Sequence, residues 1–420
     1  MATCVFIGGA PAVAKVITCT IGGTIETTDI FRATIGNKTL SVVGGSPEAA
    51  ACATAFAAAW NALSASDYPE FAEITALATG GGALTLTAKT PGMDFAVTLS
   101  TTETGGGTAD NQTFTQSTTI VNDGPNHLIT PANWSGAALP VDDDTIIIEK
   151  GSGSIYYGLD QLEITPDLFI DEHDATETIG LPRVNETGLY PEYREQYLKI
   201  SPDVCVVNGG TGRLKLNTGT VQTAITILNT GTPAEDGLGA VIWKGTHASN
   251  AVSVTKGDLS IAPFAGEVAT VLTLKMGYYS SPDTDAIVRC GSGVTLGTII
   301  KNGGNLTCDT TTAAIASFTN SAGEATIYGM TNAVTSLSVY GGRVYYSTAG
   351  TLTAAVIMAE GVLDFSRDMR SKTVTAIQTY GQNTIFDPAS VVTFSGGIDY
   401  MGCEGINGLG KHRTWTPSAI

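Results

Sequence analysis

Five glycines, Gly304, Gly323, Gly342, Gly361 and Gly381, recur at spacings of 19, 19, 19 and 20 residues, and their surroundings stay in register. Two positions after each stand Leu306, Ala325, Val344, Leu363 and Asn383, and four after stand Cys308, Ile327, Tyr346, Phe365 and Ile385. Five before stand Ile299, Phe318, Leu337, Val356 and Ala376, while Gly257 fits the same template with Val252, Leu259 and Ile261. A fixed period near 20 with apolar residues in phase is what a β-solenoid demands, because one coil cannot bury its apolar side without the next. Each glycine is then expected at a corner, where the chain needs a left-handed φ or a close backbone approach. Alternation on both sides of the corner turns Leu, Ile, Val and Phe inward and Thr, Ser and Asn outward. Over residues 145–396 the pattern predicts a parallel β-helix of about eight to ten coils, ~4.8 Å each, hence a rod of roughly 40 to 50 Å.

The first hundred residues follow a different rhythm. Ser46-Pro47-Glu48 has the form of a helix start and leads into a stretch where Cys52, Phe56, Trp60 and Leu63 keep helical spacing. A helix is expected over about 47 to 63, lying on strands near 13–21, 24–34, 38–43, 71–79, 83–89 and 94–101, the last two joined by the turn Thr90-Pro91-Gly92. The chain therefore divides into an α+β domain at 1–104, a linker and β-helix entry at 105–144, the β-helix at 145–396 and a C-terminal tail at 397–420. The fold class is mainly β.

Charge narrows the possible partners. Only 14% of residues are charged, against roughly 25% in an average domain. The 21 Lys and Arg face 39 Asp and Glu, a net charge of −18, which repels phosphate backbones and anionic lipid, so neither nucleic acid nor membrane is an expected partner. No apolar run is long enough to span a bilayer, and no basic segment precedes the first apolar stretch as in a secretory leader. Seven scattered cysteines without a CxxC motif read as free thiols of a reducing cytoplasm, with neither disulfide framework nor zinc site.

Little here assembles a reaction. Asp364, Arg367, Asp368 and Arg370 form the best charged cluster, with Asp364 at an outward position beside Tyr345 and Thr384 one coil away. Glycoside hydrolysis needs a second carboxyl at about 5 to 10 Å, and neither neighbour is an acid, so a solvated loop is the plainer reading. The stretch Asp171 to Asp174 holds enough oxygen for Ca²⁺ but lacks the alternating spacing and turn glycine of a calcium loop, and reads as a solvated turn. Asp142, Asp143 and Asp144 read as a cap on the strand that follows. His127, His173, His247 and His412 stand alone, and the glycines of 209–214 lie between strands, with no helix to receive a phosphate. No catalytic, cofactor or metal residue is assigned. Tyr278 and Tyr279 in an insertion loop, Tyr193 in the stretch 188–200 and Trp415 in a basic tail are candidate contacts with a ligand or a neighbouring subunit.

Two stretches carry a resemblance. Asn133-Trp134-Ser135, then Pro140, Asp143-Asp144 and an apolar strand, resembles the entry to the right-handed β-helix of bacterial and phage surface proteins, where a tryptophan covers the open end of the tube. The helix and hairpin within 13–101 resemble small α+β modules of tailed-phage virion proteins. The resemblance implies Trp134 as end cap and a non-enzymatic virion component made in the host cytoplasm. It further implies a homotrimeric capsid decoration that contacts other capsid or tail proteins through its first domain. A tail fibre or tailspike that binds or cleaves host surface glycan is the alternative it leaves open, and an exported adhesin or surface-layer protein is a third.

Overall fold

The computed structural model describes residues 2–104, 111–149, 151–172, 177–185, 187–209, 212–230, 237–278, 285–309, 314–329, 333–380 and 384–401. The chain is mainly β, with an N-terminal α+β region followed by a parallel solenoid of about 11 turns. At ~4.8 Å per turn the rod is roughly 50 Å long. Strands pair with strands one coil away, in two ladders. In the first (sheet 1), Ile146, Leu168, Cys205, Ile225, Val252, Leu274, Ile299, Phe318, Leu337, Ala355 and Ile377 stand on one another, all buried. In the second (sheet 2), Leu214, Val241, Leu259, Val288, Leu306, Ala325, Val344, Leu363 and Ile385 do the same. Each fully buried Leu, Ile or Phe stabilises by about 1.5 to 3 kcal/mol relative to exposure, so the columns supply the cohesion that no single coil has.

The expected corners hold for Gly257, at φ +105°, and for three of the five evenly spaced glycines. Gly304, Gly323 and Gly342 have φ of +76°, +71° and +66°. A Cβ on them would lie 2.1, 2.2 and 2.3 Å from the carbonyl oxygens of Ala286, Gly304 and Gly323 below. Gly361 needs no left-handed φ but sits equally tight, its Cβ position 2.4 Å from the Val339 oxygen. Gly381 and Asn383 lie outside the described residues. Beyond Gly342 the repeat slips: an irregularity between Val339 and Gly341 moves the register, so Ala355 and Ile377, not Val356 and Ala376, fill the column. Ile385 stacks on Leu363 rather than on Phe365.

The boundaries differ from those expected. Thr3–Val5 pairs in parallel with Thr145–Glu149 and is the first rung of the solenoid, not part of the α+β domain. Asp144 ties this rung down, accepting hydrogen bonds from the amides of Ala2 at 2.6 Å and Val141 at 3.1 Å. Thr113–Ile120, within the expected linker, is a strand that pairs antiparallel with Val16–Gly22. That pairing completes a four-stranded sheet with Ile74–Gly80 and Ala83–Ala88, and a three-stranded sheet holds Lys38–Val43, Ile30–Ile35 and Thr98–Thr102. Helix Ala49–Asn61 buries Cys52, Phe56 and Trp60 against this core. It starts later than expected, since the Ser46 hydroxyl accepts from the Glu48 amide and leaves the helix itself uncapped.

Trp134 is 1% exposed within the apolar core of the solenoid, edge to face with Phe6 at 5.3 Å, and its indole nitrogen donates to the Leu128 carbonyl at 2.8 Å. Trp134→Ala is expected to cost about 3 to 5 kcal/mol. A lowered thermal midpoint with faster hydrogen exchange at Ile146 and Ile148 would confirm it; an unchanged midpoint would contradict it.

Candidate functional site

Three polar clusters rise above the uniform outer surface. The richest is where stretch 188–200, expected as a subunit contact, instead joins the solenoid to the α+β domain. Arg194 donates through Nε to Glu192 Oε1 at 2.7 Å and through Nη2 to Oε2 at 2.8 Å. The same guanidinium reaches the Asp94 carbonyl at 3.1 Å and Glu73 at 3.9 Å, both in the α+β domain. Tyr190 donates its hydroxyl to Glu73 Oε1 at 2.7 Å. Tyr193 packs beside the α+β core, against Gly36, with its ring under Arg194. Burial pushes the Glu73 carboxyl above its ordinary value, against the Tyr190 hydrogen bond and the charge of Arg194. A cleft of about 350 Å³ opens here, lined in part by Glu73, Met93, Tyr156, Tyr157 and Arg194. Tyr190 and Arg194 thus hold Glu73 and Glu192 in place across the junction of the two domains.

The second cluster covers the start of sheet 2. Lys215, fully buried, lies 5.9 Å from the Tyr197 ring and 5.6 Å from that of Phe264. Lys244 sits 3.8 Å over Tyr197 and pairs with Glu267 at 2.8 Å, and Arg183 stacks 4.3 Å over Phe264. Cations over aromatic faces rim a cleft of about 420 Å³ whose lining also carries Glu195 and Glu267.

The third cluster corrects the candidate acid at the far end. Asp364 is 1% exposed, not solvent-facing, and pairs with Arg343 at 2.9 Å. Arg367 lies 3.2 Å above the Tyr345 ring and donates to Thr326 Oγ1 at 3.0 Å. Arg370 chelates Asp368 at 2.9 and 3.1 Å and donates to the Gly329 carbonyl at 3.0 Å. Burial raises the Asp368 pKa, but hydrogen bonds from Arg370 and Lys372 outweigh it and hold the carboxyl far below the usual range. This is a strap over three coils in which Asp364 and Asp368 are each engaged by an arginine.

Glu73, Arg183, Lys215, Lys244 and Lys301 all escape the sequence reading. Lys301 points into the tube between Met276 and Asn320, fully buried, its ammonium nitrogen donating to the Ala322 carbonyl. Burial pushes its pKa down to about 7, with Glu324 opposing. The signal was in the alternation: Ile299 inward, Ile300 outward, Lys301 inward.

The other candidates are dispersed. Tyr278 is 51% exposed, while Tyr279 and Trp415 lie outside the described residues. Asp171 and Glu172 continue the strand Asp167–Glu172 rather than forming a turn, and His173 and Asp174 are outside the description. Among the described residues no three His, Cys, Asp or Glu gather for a metal, and no helix is long and apolar enough to cross a membrane. The six described cysteines are free thiols, Cys4 half-buried and the rest buried. Comparison with protein families, with curated proteins and with solved structures finds no match to this chain.

Proposed function

We propose that this chain is a non-enzymatic structural component of a phage virion, a capsid decoration whose α+β domain docks on the particle while the solenoid projects as display surface. The observation that carries the proposal is the use made of charge. Arg194, Arg343, Arg367 and Arg370 are each bound within the chain, in a clasp between domains or a strap across coils. Such placement stiffens a rod and leaves no free acid–base pair in those clusters. Purified protein is expected to co-sediment with phage particles lacking it and to appear on the head in low-resolution images. Absence from every particle fraction would defeat the proposal. The cation–aromatic cleft at Arg183, Lys244 and Tyr197 favours a second reading, a tail fibre that grips a host glycan; images placing the protein on the tail, or reducing-sugar release, would decide for that class.

A further inference from the structure

The two sheets present opposite outer faces. On sheet 2 the outward positions carry Lys244, Asp258, Arg289, Glu324, Arg343 and Asp364. The chain's own segments cover much of that face, Tyr197 and Phe264 at one end and the Arg367 strap at the other. On sheet 1, from Val204–Gly209 to Lys372–Tyr380, the two central outward positions of each coil are Val, Ile, Ala, Ser, Thr or Gln, and Lys275 alone is charged. Ala251, Ser336 and Ala376 are exposed there, and the large apolar residues Val204, Leu228 and Leu272 on the same strands are 38%, 39% and 52% exposed.

We propose that the outer face of sheet 1 is the surface through which copies of this chain associate side by side. Chains of net charge −18 repel one another, so a self-contact is favoured where acids are excluded, and among the described residues this long face excludes them. Nine coils at ~4.8 Å and a strip about 15 Å wide give on the order of 650 Å² before side-chain relief is counted, the scale of the ~800 Å² each partner contributes to a stable interface. Depletion of charge at the centre is also a mark of an interface core.

The inference deepens the structural role above and rests on it for what the assembly is for, but its test reads the face alone. By sedimentation equilibrium the full chain is expected to be oligomeric at micromolar concentration. The triple variant Ala251→Glu, Ser336→Glu and Ala376→Glu is expected to lose at least about 100-fold in association constant, since like charges placed opposite each other are strongly unfavourable. Its circular dichroism should be unchanged, and Thr307→Glu on sheet 2 should associate as wild type does. A monomeric wild-type chain overturns the proposal whatever the variants do. A folded triple variant that associates as tightly as wild type overturns it as well. Particle binding by a monomer would leave the virion role standing and remove only the interface.

Discussion

Replacing Arg194 by Met is expected to loosen the α+β domain from the solenoid while leaving both cores folded. The guanidinium is 11% exposed, and the Glu192 side chain it holds is 1% exposed. Without it, two carboxylates remain in a poorly hydrated junction with no cation, a loss of about 3 to 5 kcal/mol when one member of a buried pair is removed. Hydrogen exchange should quicken in 73–94 and 188–197 together, with no matching change in the solenoid columns beyond Val241. Adding Glu192→Gln and Glu73→Gln should recover part of the loss, because the penalty is buried charge and not lost shape. Unchanged exchange at the junction would show that Arg194 is not what holds the domains together.

Lys301→Met should have the opposite sign and raise stability near neutral pH and below. In the folded chain the amine has a pKa of about 7, in the unfolded chain the ordinary 10.5. The unfolded state therefore binds the proton more tightly, and the penalty is fully present below pH 7. It fades as pH rises from about 7 towards 10.5. Relief of that penalty exceeds the ~1 kcal/mol of the lost hydrogen bond to the Ala322 carbonyl. A gain on the order of 2 kcal/mol, about 4 °C in thermal midpoint, is expected at pH 6, shrinking towards pH 10. A lower midpoint for Lys301→Met at pH 6 would mean that the ammonium is well solvated where it lies.

How much of this was legible varied along the chain for physical reasons. Around Leu306, Val344 and Leu363 the coils have constant length, so residues that touch in space are equally spaced in sequence. Nearer the start, Leu168 and Cys205 are stacked neighbours although 37 residues apart. Segments such as 182–197 leave the tube between them, before Leu198–Lys199 pairs on sheet 2 again, and that is why fewer coils were expected than the structure has. One extra residue between Ile357 and Glu360, opposite Tyr340, was enough to exchange Val356 for Ala355. The stretch with Tyr190, Tyr193 and Arg194 was recognisable as a contact surface, but aromatic and charged residues look alike whether their partner is another chain or another part of the same one. The strap at Arg370 was visible only as charge density, because its acceptors, the carbonyls of Gly329 and Ser347, belong to other coils and leave no trace in local composition.

The α+β domain enters and leaves at one point, where Val13 and Asp123 form an antiparallel bridge and the Val13 amide donates to the Asp123 carbonyl at 2.7 Å. Once that domain has folded, its joined ends bring the strand Thr3–Val5 close to its partner at Thr145–Glu149, across a separation of more than 100 residues whose closure would otherwise be entropically slow. On a ribosome the strand Thr3–Val5 precedes its partner by the whole insert and can pair with it only once Thr145–Glu149 has emerged. A module whose two ends meet in this way could also be exchanged for another of unrelated shape, with the rod downstream keeping its register.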